Sequence, residues 1–165
     1  MVGNRRRCTG ILGGMALEVI DALRGNYLMQ GLDARQIDSV AALATVGEFS
    51  GGDTLLRQFS DDADLMIVID GKAVIRGFSG EVIAEAGPGS VIGEISLIDQ
   101  KPRSATVVSA GGTKVASINN KDLWNLMNVE PEIGKTLLLN IGRILCARLR
   151  AANVAIDSVV DRTGV

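Results

Sequence analysis

The sequence predicts an α+β fold in which a closed or rolled antiparallel sheet carries helices at its ends. Three observations on the 165-residue chain predict it. Apolar residues recur at helical spacing near both termini. Between these regions, short apolar runs alternate with Gly, Asp and Ser turns, which is typical of a sandwich or barrel. A hydrophobic fraction of 47% and 20 glycines provide for a buried core and many tight turns.

Two helices are predicted before the sheet. The first runs from Met15 to Gln30 and ends at Gly31, and the second runs from Asp33 to Leu43. Their apolar residues fall on one face each: Leu17, Ile20, Leu23 and Tyr27 in the first helix, and Ile37, Val40, Ala41 and Ala44 in the second.

About eight short strands are expected after Thr45. The apolar runs that predict them are Thr54 to Phe59, Leu65 to Ile69, Ala73 to Ile75, Glu81 to Ala84, Ala105 to Val108 and Lys114 to Ile118. Glycine-containing turns are expected between them, among others at residues 70–72 and 110–112.

Two further helices are predicted after the strands. Asn119 or Asn120 caps a short helix that ends at Met127, and Pro131 begins a long final helix. The apolar stripe of that helix comprises Ile133, Leu137, Ile141, Ile144, Leu145 and Leu149, with Leu138 and Leu139 beside it. The pattern continues more weakly through Ala155, Ile156 and Val159. Two interpretations stay open: a thick helix that faces only the core, or one that also packs on a partner helix, as in a coiled coil.

The composition excludes several functions. The chain has no histidine, which removes histidine triads, imidazole bases and most catalytic zinc sites. The net charge of −2 and the 3% aromatic content argue against binding of nucleic acid. Cys8 and Cys146 match no metal or redox spacing, and Cys146 is expected to be a small core residue. No apolar run reaches the ~20 residues of a membrane span, so we expect a soluble protein, and the two cysteines, which lie far apart in sequence, indicate the reducing cytoplasm.

Residues 87–107 interrupt the strand pattern and carry the chemistry. Gly87, Gly89 and Gly93 are spaced one residue too far apart for a dinucleotide-binding fingerprint. Gly93 instead allows a close backbone approach, and a helical turn that begins at Glu94 would direct free N–H groups at an anion. Arg103 can add a charged fork, and Glu94 can accept hydrogen bonds from sugar hydroxyls. Together they predict a pocket for a sugar phosphate with a single negative charge.

The sequence Gly93-Glu94-Ile95-Ser96-Leu97, followed by Pro102-Arg103-Ser104-Ala105-Thr106-Val107, resembles the phosphate-binding cassette of cyclic nucleotide-binding domains. The resemblance extends from about Gly31 to about Ala152 and implies an antiparallel β-roll of the double-stranded β-helix or jelly-roll type. It also implies that Glu94 binds the ribose 2′-hydroxyl and Arg103 the cyclic phosphate. Gly93, Ile95 and Ser96 would lie in the turn that faces the ligand, and Ser104 and Ala105 would flank the arginine.

The resemblance also divides the chain into three parts: residues 1–30 as a tail and helix, 31–130 as the β-roll with its flanking helix, and 131–165 as a lid and dimerisation helix. Alignment with bacterial regulators places Asn153 where it would meet adenine, since an amide both donates and accepts hydrogen bonds. The alternative for Asn153 is a solvated position on the helix. Two departures from the family are Ile92, where phenylalanine is frequent, and residues 59–64, which lack both glycines of a Gly-Asp-x-Gly-Asp turn.

The function implied is that of a stand-alone cyclic nucleotide sensor, because residues 152–165 are too few for a helix-turn-helix module. Cyclic AMP is the expected ligand, while Ser104 leaves cyclic GMP open. The ligand would reposition the C-terminal helix, through which the protein would form a homodimer. We expect no enzyme activity, catalytic residue, metal or cofactor, and the downstream effector is not identified. The alternative is a degenerate domain that serves as a structural or dimerisation module.

Overall fold

A computed structural model describes residues 13–163, with side chains from 17 to 157, as helices at both ends of one antiparallel sheet. The elements are α1 Gly13–Arg24, a 3-10 helix Tyr27–Met29, α2 Ala34–Ala41, β1 Ala44–Ser50, β2 Thr54–Leu56, β3 Leu65–Arg76, β4 Val82–Ala86, β5 Val91–Ile92, α3 Glu94–Asp99, β6 Thr106–Ile118, α4 Asn120–Val129 and α5 Pro131–Thr163. The predicted α+β β-roll with helices at its ends is confirmed.

Two long strands organise the sheet. Its order is β1-β6-β3-β4, while β2 pairs with β6 and β5 pairs with β3. β6 is therefore paired on one side with β1 and β2 in succession, and on the other with β3 over nearly its whole length. This arrangement brings the beginning of β6 next to the ends of β2 and β3.

The turns predicted at residues 70–72 and 110–112 are wrong. Both segments lie inside continuous strands, so that the described residues form six strands rather than about eight. The β3–β6 register shifts between Val68 and Asp70 and again between Gly71 and Ala73. Gly71 has a φ of +79°, and a Cβ there would overlap the carbonyl oxygen of Gly112. Glycine and the irregular register thus let the paired strands bend together without ending.

Two hydrophobic clusters lie on the two faces of the sheet, because successive residues at the start of β3 alternate between them. The larger joins the helices to the sheet and includes Leu23, Leu28, Ile118, Ile133 and Leu137. The smaller fills the roll and includes Met66, Ile92, Val107 and Val115. The strand that leads into the predicted cassette contributes to both clusters, through Val91 and Ile92 respectively.

Local sequence signals determine the helix ends. Asp33 caps α2 through a reciprocal capping box with Gln36, and Asn119 caps α4. The first helix ends at Arg24, earlier than predicted, because Asn26 accepts a hydrogen bond from the Leu28 backbone and starts the 3-10 turn.

The long helix α5 is only partly covered by the core. Ile133, Leu137 and Ile141 are buried, whereas Leu149 is exposed. Cys146 is also exposed, so its predicted core position is wrong. Helical periodicity places residues on a face but does not show where along the helix the core ends. Cys8 lies outside the described residues.

Candidate functional site

The turn at the start of α3 forms the base of the site. Gly93 precedes this helix with a φ of +86°, a left-handed conformation that glycine adopts without strain. A Cβ at Gly93 would lie 2.5 Å from Nη1 of Arg103 and 2.7 Å from the backbone oxygen of Asp64. Glycine is therefore required here both by the backbone angle and by the close approach of the arginine.

Arg103 is buried against this turn, with 2% of its surface exposed. Its Nε donates to Oδ1 of Asp62 at 2.9 Å. Its Nη1 donates to the carbonyl oxygen of Gly93 at 3.2 Å, and its Nη2 to that of Asp64 at 2.7 Å. These three hydrogen bonds supply the partners that a buried charge needs. They also hold the guanidinium in one orientation at the N-terminal end of α3.

Glu94 is also buried, with 1% exposure, and its carboxylate contacts the last helix. Nη1 of Arg148 in α5 donates to Oε1 of Glu94, and Nη2 of Arg148 donates to the carbonyl oxygen of Val91 at 2.6 Å. Arg148 therefore joins α5 to both the first residue of the cassette helix and the strand that precedes it.

Arg148 was not among the site residues predicted from the sequence. A signal was present, since the buried stripe Ile133, Leu137 and Ile141 leads at helical spacing through Ile144 to position 148. An arginine that continues an apolar stripe needs an acidic or carbonyl partner on the surface that the helix faces. Arg148 could therefore have been paired with the site from its position on the stripe.

Residues 59–64 also belong to the site. The backbone N–H of Phe59 donates to the carbonyl of Arg103, and the backbone N–H of Arg103 donates to the carbonyl of Ser60, each at 3.0 Å. The carboxylate of Asp62 and the carbonyl of Asp64 then accept hydrogen bonds from the guanidinium of Arg103. The loop without its two family glycines therefore positions Arg103, which the sequence did not indicate.

The other predicted residues lie around this centre. Ser96 is buried, while Ile95 is exposed. Ser104 is exposed, Ala105 is half-buried, and the carbonyl of Ser104 accepts a hydrogen bond from Gln58 at 2.9 Å.

Asn153 is exposed on α5, five residues or about 7.5 Å of helix beyond Arg148. The structure brings Gly93, Glu94 and Arg103 together, and it is Arg148 rather than Asn153 that contacts Glu94. The base contact of Asn153 stays a prediction.

The arrangement suits the binding of an anion and a hydroxyl group. Arg103 provides a fixed cation and Glu94 a buried acceptor. Among the side chains that the structure describes, those of residues 17–157, no group of three acidic or cysteine residues is placed to hold a metal ion. Among the same residues, no helix is long and apolar enough to cross a membrane.

Comparison with known proteins places these features in a family. The model of the cyclic nucleotide-binding domain family matches residues 46–130. A cAMP-dependent protein kinase regulatory subunit of Debaryomyces hansenii is 31% identical over 99 residues, which are 60% of this chain and 22% of that protein. The Cyclic AMP receptor protein of Thermus thermophilus is 26% identical over 139 residues, or 82% of this chain and 62% of that protein. The chain thus spans less than two thirds of either relative.

A solved structure has the same fold. The cyclic nucleotide-binding domain from Methylobacillus flagellatus KT superposes with a TM-score of 0.75 at 24% identity, covering 87% of this chain and 83% of that one. The β-roll with flanking helices is therefore shared with that domain.

Proposed function

The chain belongs to the cyclic nucleotide-binding domain family, and we propose that it binds a 3′,5′-cyclic nucleotide as a regulatory domain rather than as an enzyme. One observation carries the proposal. Arg103 and Glu94 are both buried beside Gly93, with Nη1 of Arg103 3.2 Å from the Gly93 carbonyl oxygen. A buried cation against the Gly93 carbonyl and a buried carboxylate on the next residue match the phosphate and the ribose hydroxyl of one small ligand.

The proposed ligand is cyclic AMP, with cyclic GMP binding more weakly. The two named relatives are a cAMP-dependent kinase subunit and a cyclic AMP receptor, which supports this choice. The cyclic phosphate would accept hydrogen bonds from Arg103 and from the backbone N–H groups at the start of α3. The 2′-hydroxyl of the ribose would donate to Glu94.

The proposed response is a repositioning of α5, and the contact that supports it is the Glu94–Arg148 ion pair. Arg148 occupies Oε1 of Glu94, and we propose that the ribose hydroxyl competes with Arg148 for this carboxylate. When the hydroxyl donates to Glu94, Arg148 is displaced and α5 loses this link to the roll. A ligand that favours one of two helix positions shifts the population between them.

We further propose that the protein forms a homodimer and that residues 131–165, which contain α5, provide the dimer contact. Its exposed apolar residues are Leu138, Leu139, Leu149, Val154 and Ile156. They extend along the helix past the part that packs on the core, as expected for a seam with a second α5. The domain would act in the cytoplasm. Its effector would be a protein, because a net charge of −2 does not favour binding to nucleic acid.

The test is competition on the purified protein with a fluorescent cyclic AMP probe. Unlabelled cyclic AMP should displace the probe better than cyclic GMP, and 5′-AMP should compete poorly because its phosphate carries a second charge. Arg35→Ala is the matched control for later arginine variants, since Arg35 is exposed and pairs with Glu130. A preference for cyclic GMP would overturn the choice of base, and absence of probe binding would favour a degenerate structural module.

A further inference from the structure

Two of the few aromatic residues of this protein meet on its surface. The chain holds three Phe, one Trp and one Tyr. Phe59 and Phe78 are 66% and 84% exposed, yet their ring centroids lie 6.2 Å apart in an edge-to-face arrangement of 72°. Rings with this degree of exposure contribute little to the hydrophobic core, so packing in the core does not explain their position.

The backbone of Phe59 is also unusual. Its φ of +65° lies in the left-handed region, which is unfavourable for a bulky side chain. The residue stays there because its N–H is bonded to the carbonyl of Arg103 and the next carbonyl, that of Ser60, accepts from the N–H of Arg103. Strained residues that the surroundings hold in place are enriched at ligand sites.

The sheet register places both rings at the end of the roll that carries Arg103. Leu56 at the end of β2 pairs with Val107 near the start of β6. Arg76 at the end of β3 pairs with Thr106 and with Val82, the first residue of β4. Phe59 follows β2, Arg103 precedes β6 and Phe78 follows β3, so all three lie beyond the same edge. Ile83 in β4, also exposed, extends the apolar surface there.

We propose that Phe59 and Phe78 form the stacking surface for the nucleobase of the bound cyclic nucleotide. The inference rests on the proposed function, because it assumes that the sugar phosphate lies on Glu94 and Arg103. Base–aromatic stacking uses the π-face that every base has, so it contributes affinity without distinguishing adenine from guanine. The base contact then comes from the loops of the roll as well as from any residue of α5.

The test compares cyclic AMP with base-free ribose 3′,5′-cyclic phosphate in calorimetric titrations. Phe78→Ala and Phe59→Gly should each weaken cyclic AMP about tenfold and leave the base-free compound unchanged, because the lost contact is to the base. Phe78→Tyr should retain wild-type affinity because it keeps the ring. Phe59→Gly should not lower the melting temperature, since glycine adopts this φ without strain. Val129→Ala, at an 80% exposed apolar position in α4, is the matched control.

The outcomes separate this inference from the proposed function. Unchanged cyclic AMP affinity in both phenylalanine variants would refute the stacking surface while the proposed function stands. An equal loss for both ligands would also refute it, because the rings would then act by holding the loop at Arg103. Wild-type protein that binds neither compound would refute the proposed function and the stacking surface with it.

Discussion

Replacing Arg148 with alanine should raise the affinity for the cyclic nucleotide and lower the stability of the ligand-free protein. Arg148 donates to Glu94 and to the carbonyl of Val91, and the Glu94 side chain is buried while that of Arg148 is 42% exposed. A hydrogen bond between charged groups contributes about 1.5–3 kcal/mol when buried, and an exposed ion pair about 0–1 kcal/mol. This half-exposed pair should therefore contribute about 1–2 kcal/mol.

The ligand must overcome this free energy to displace Arg148 from the Glu94 carboxylate. Its removal should tighten binding by roughly tenfold, since 1.4 kcal/mol corresponds to a factor of ten. The same change leaves Glu94 buried without its arginine donor, so the melting temperature of the ligand-free variant should fall by roughly 2–8 °C. The ligand should restore more stability to the variant than to the wild type, because its hydroxyl supplies the missing donor.

The assay is a titration with cyclic AMP, combined with thermal unfolding with and without the ligand. Arg150→Ala is the control, as it removes an exposed arginine two residues further along α5. Weaker or unchanged binding by Arg148→Ala would refute the competition between helix and ribose. Arg148 would then be a residue that orients Glu94 for the ligand.

Three further predictions follow from the site, the last helix and the bend of the sheet. Arg103→Ala should lose at least tenfold in cyclic nucleotide affinity by titration, and its midpoint in urea should fall because the carbonyls of Gly93 and Asp64 lose a donor. Wild-type affinity would show that the cassette is misassigned. A chain that ends at Arg150 should bind more weakly and shift toward monomer in light scattering; if affinity and mass both stay the same, the segment beyond is a passive tail. Gly71→Ala should be destabilised far more than Gly52→Ala in urea unfolding, because both have positive φ but an added Cβ meets backbone only at Gly71; equal losses would show that the close approach does not matter.

Much of the site could be predicted because its defining residues are close in sequence. The span from Gly93 to Arg103 contains the left-handed glycine, the buried carboxylate and the buried arginine, and the structure finds them together. The same holds for the start of α2, where Asp33 and Gln36 form the capping box that their three-residue spacing allows. Turn and cap geometry depends on neighbouring residues, so the local sequence is sufficient to specify it.

The amino-acid sequence by itself thus determined the α+β class, the position of the cassette and the helix starts of this protein. Tertiary structure decided which distant groups complete the site: Arg148 reaches Glu94 across 54 residues, and Asp62 reaches Arg103 across 41. It also decided that strands β3 and β6 bend through their glycines instead of ending there, and that Cys146 lies outside the core. Periodicity and spacing report on a few consecutive residues, whereas these contacts arise only when the paired strands bring distant segments to one edge.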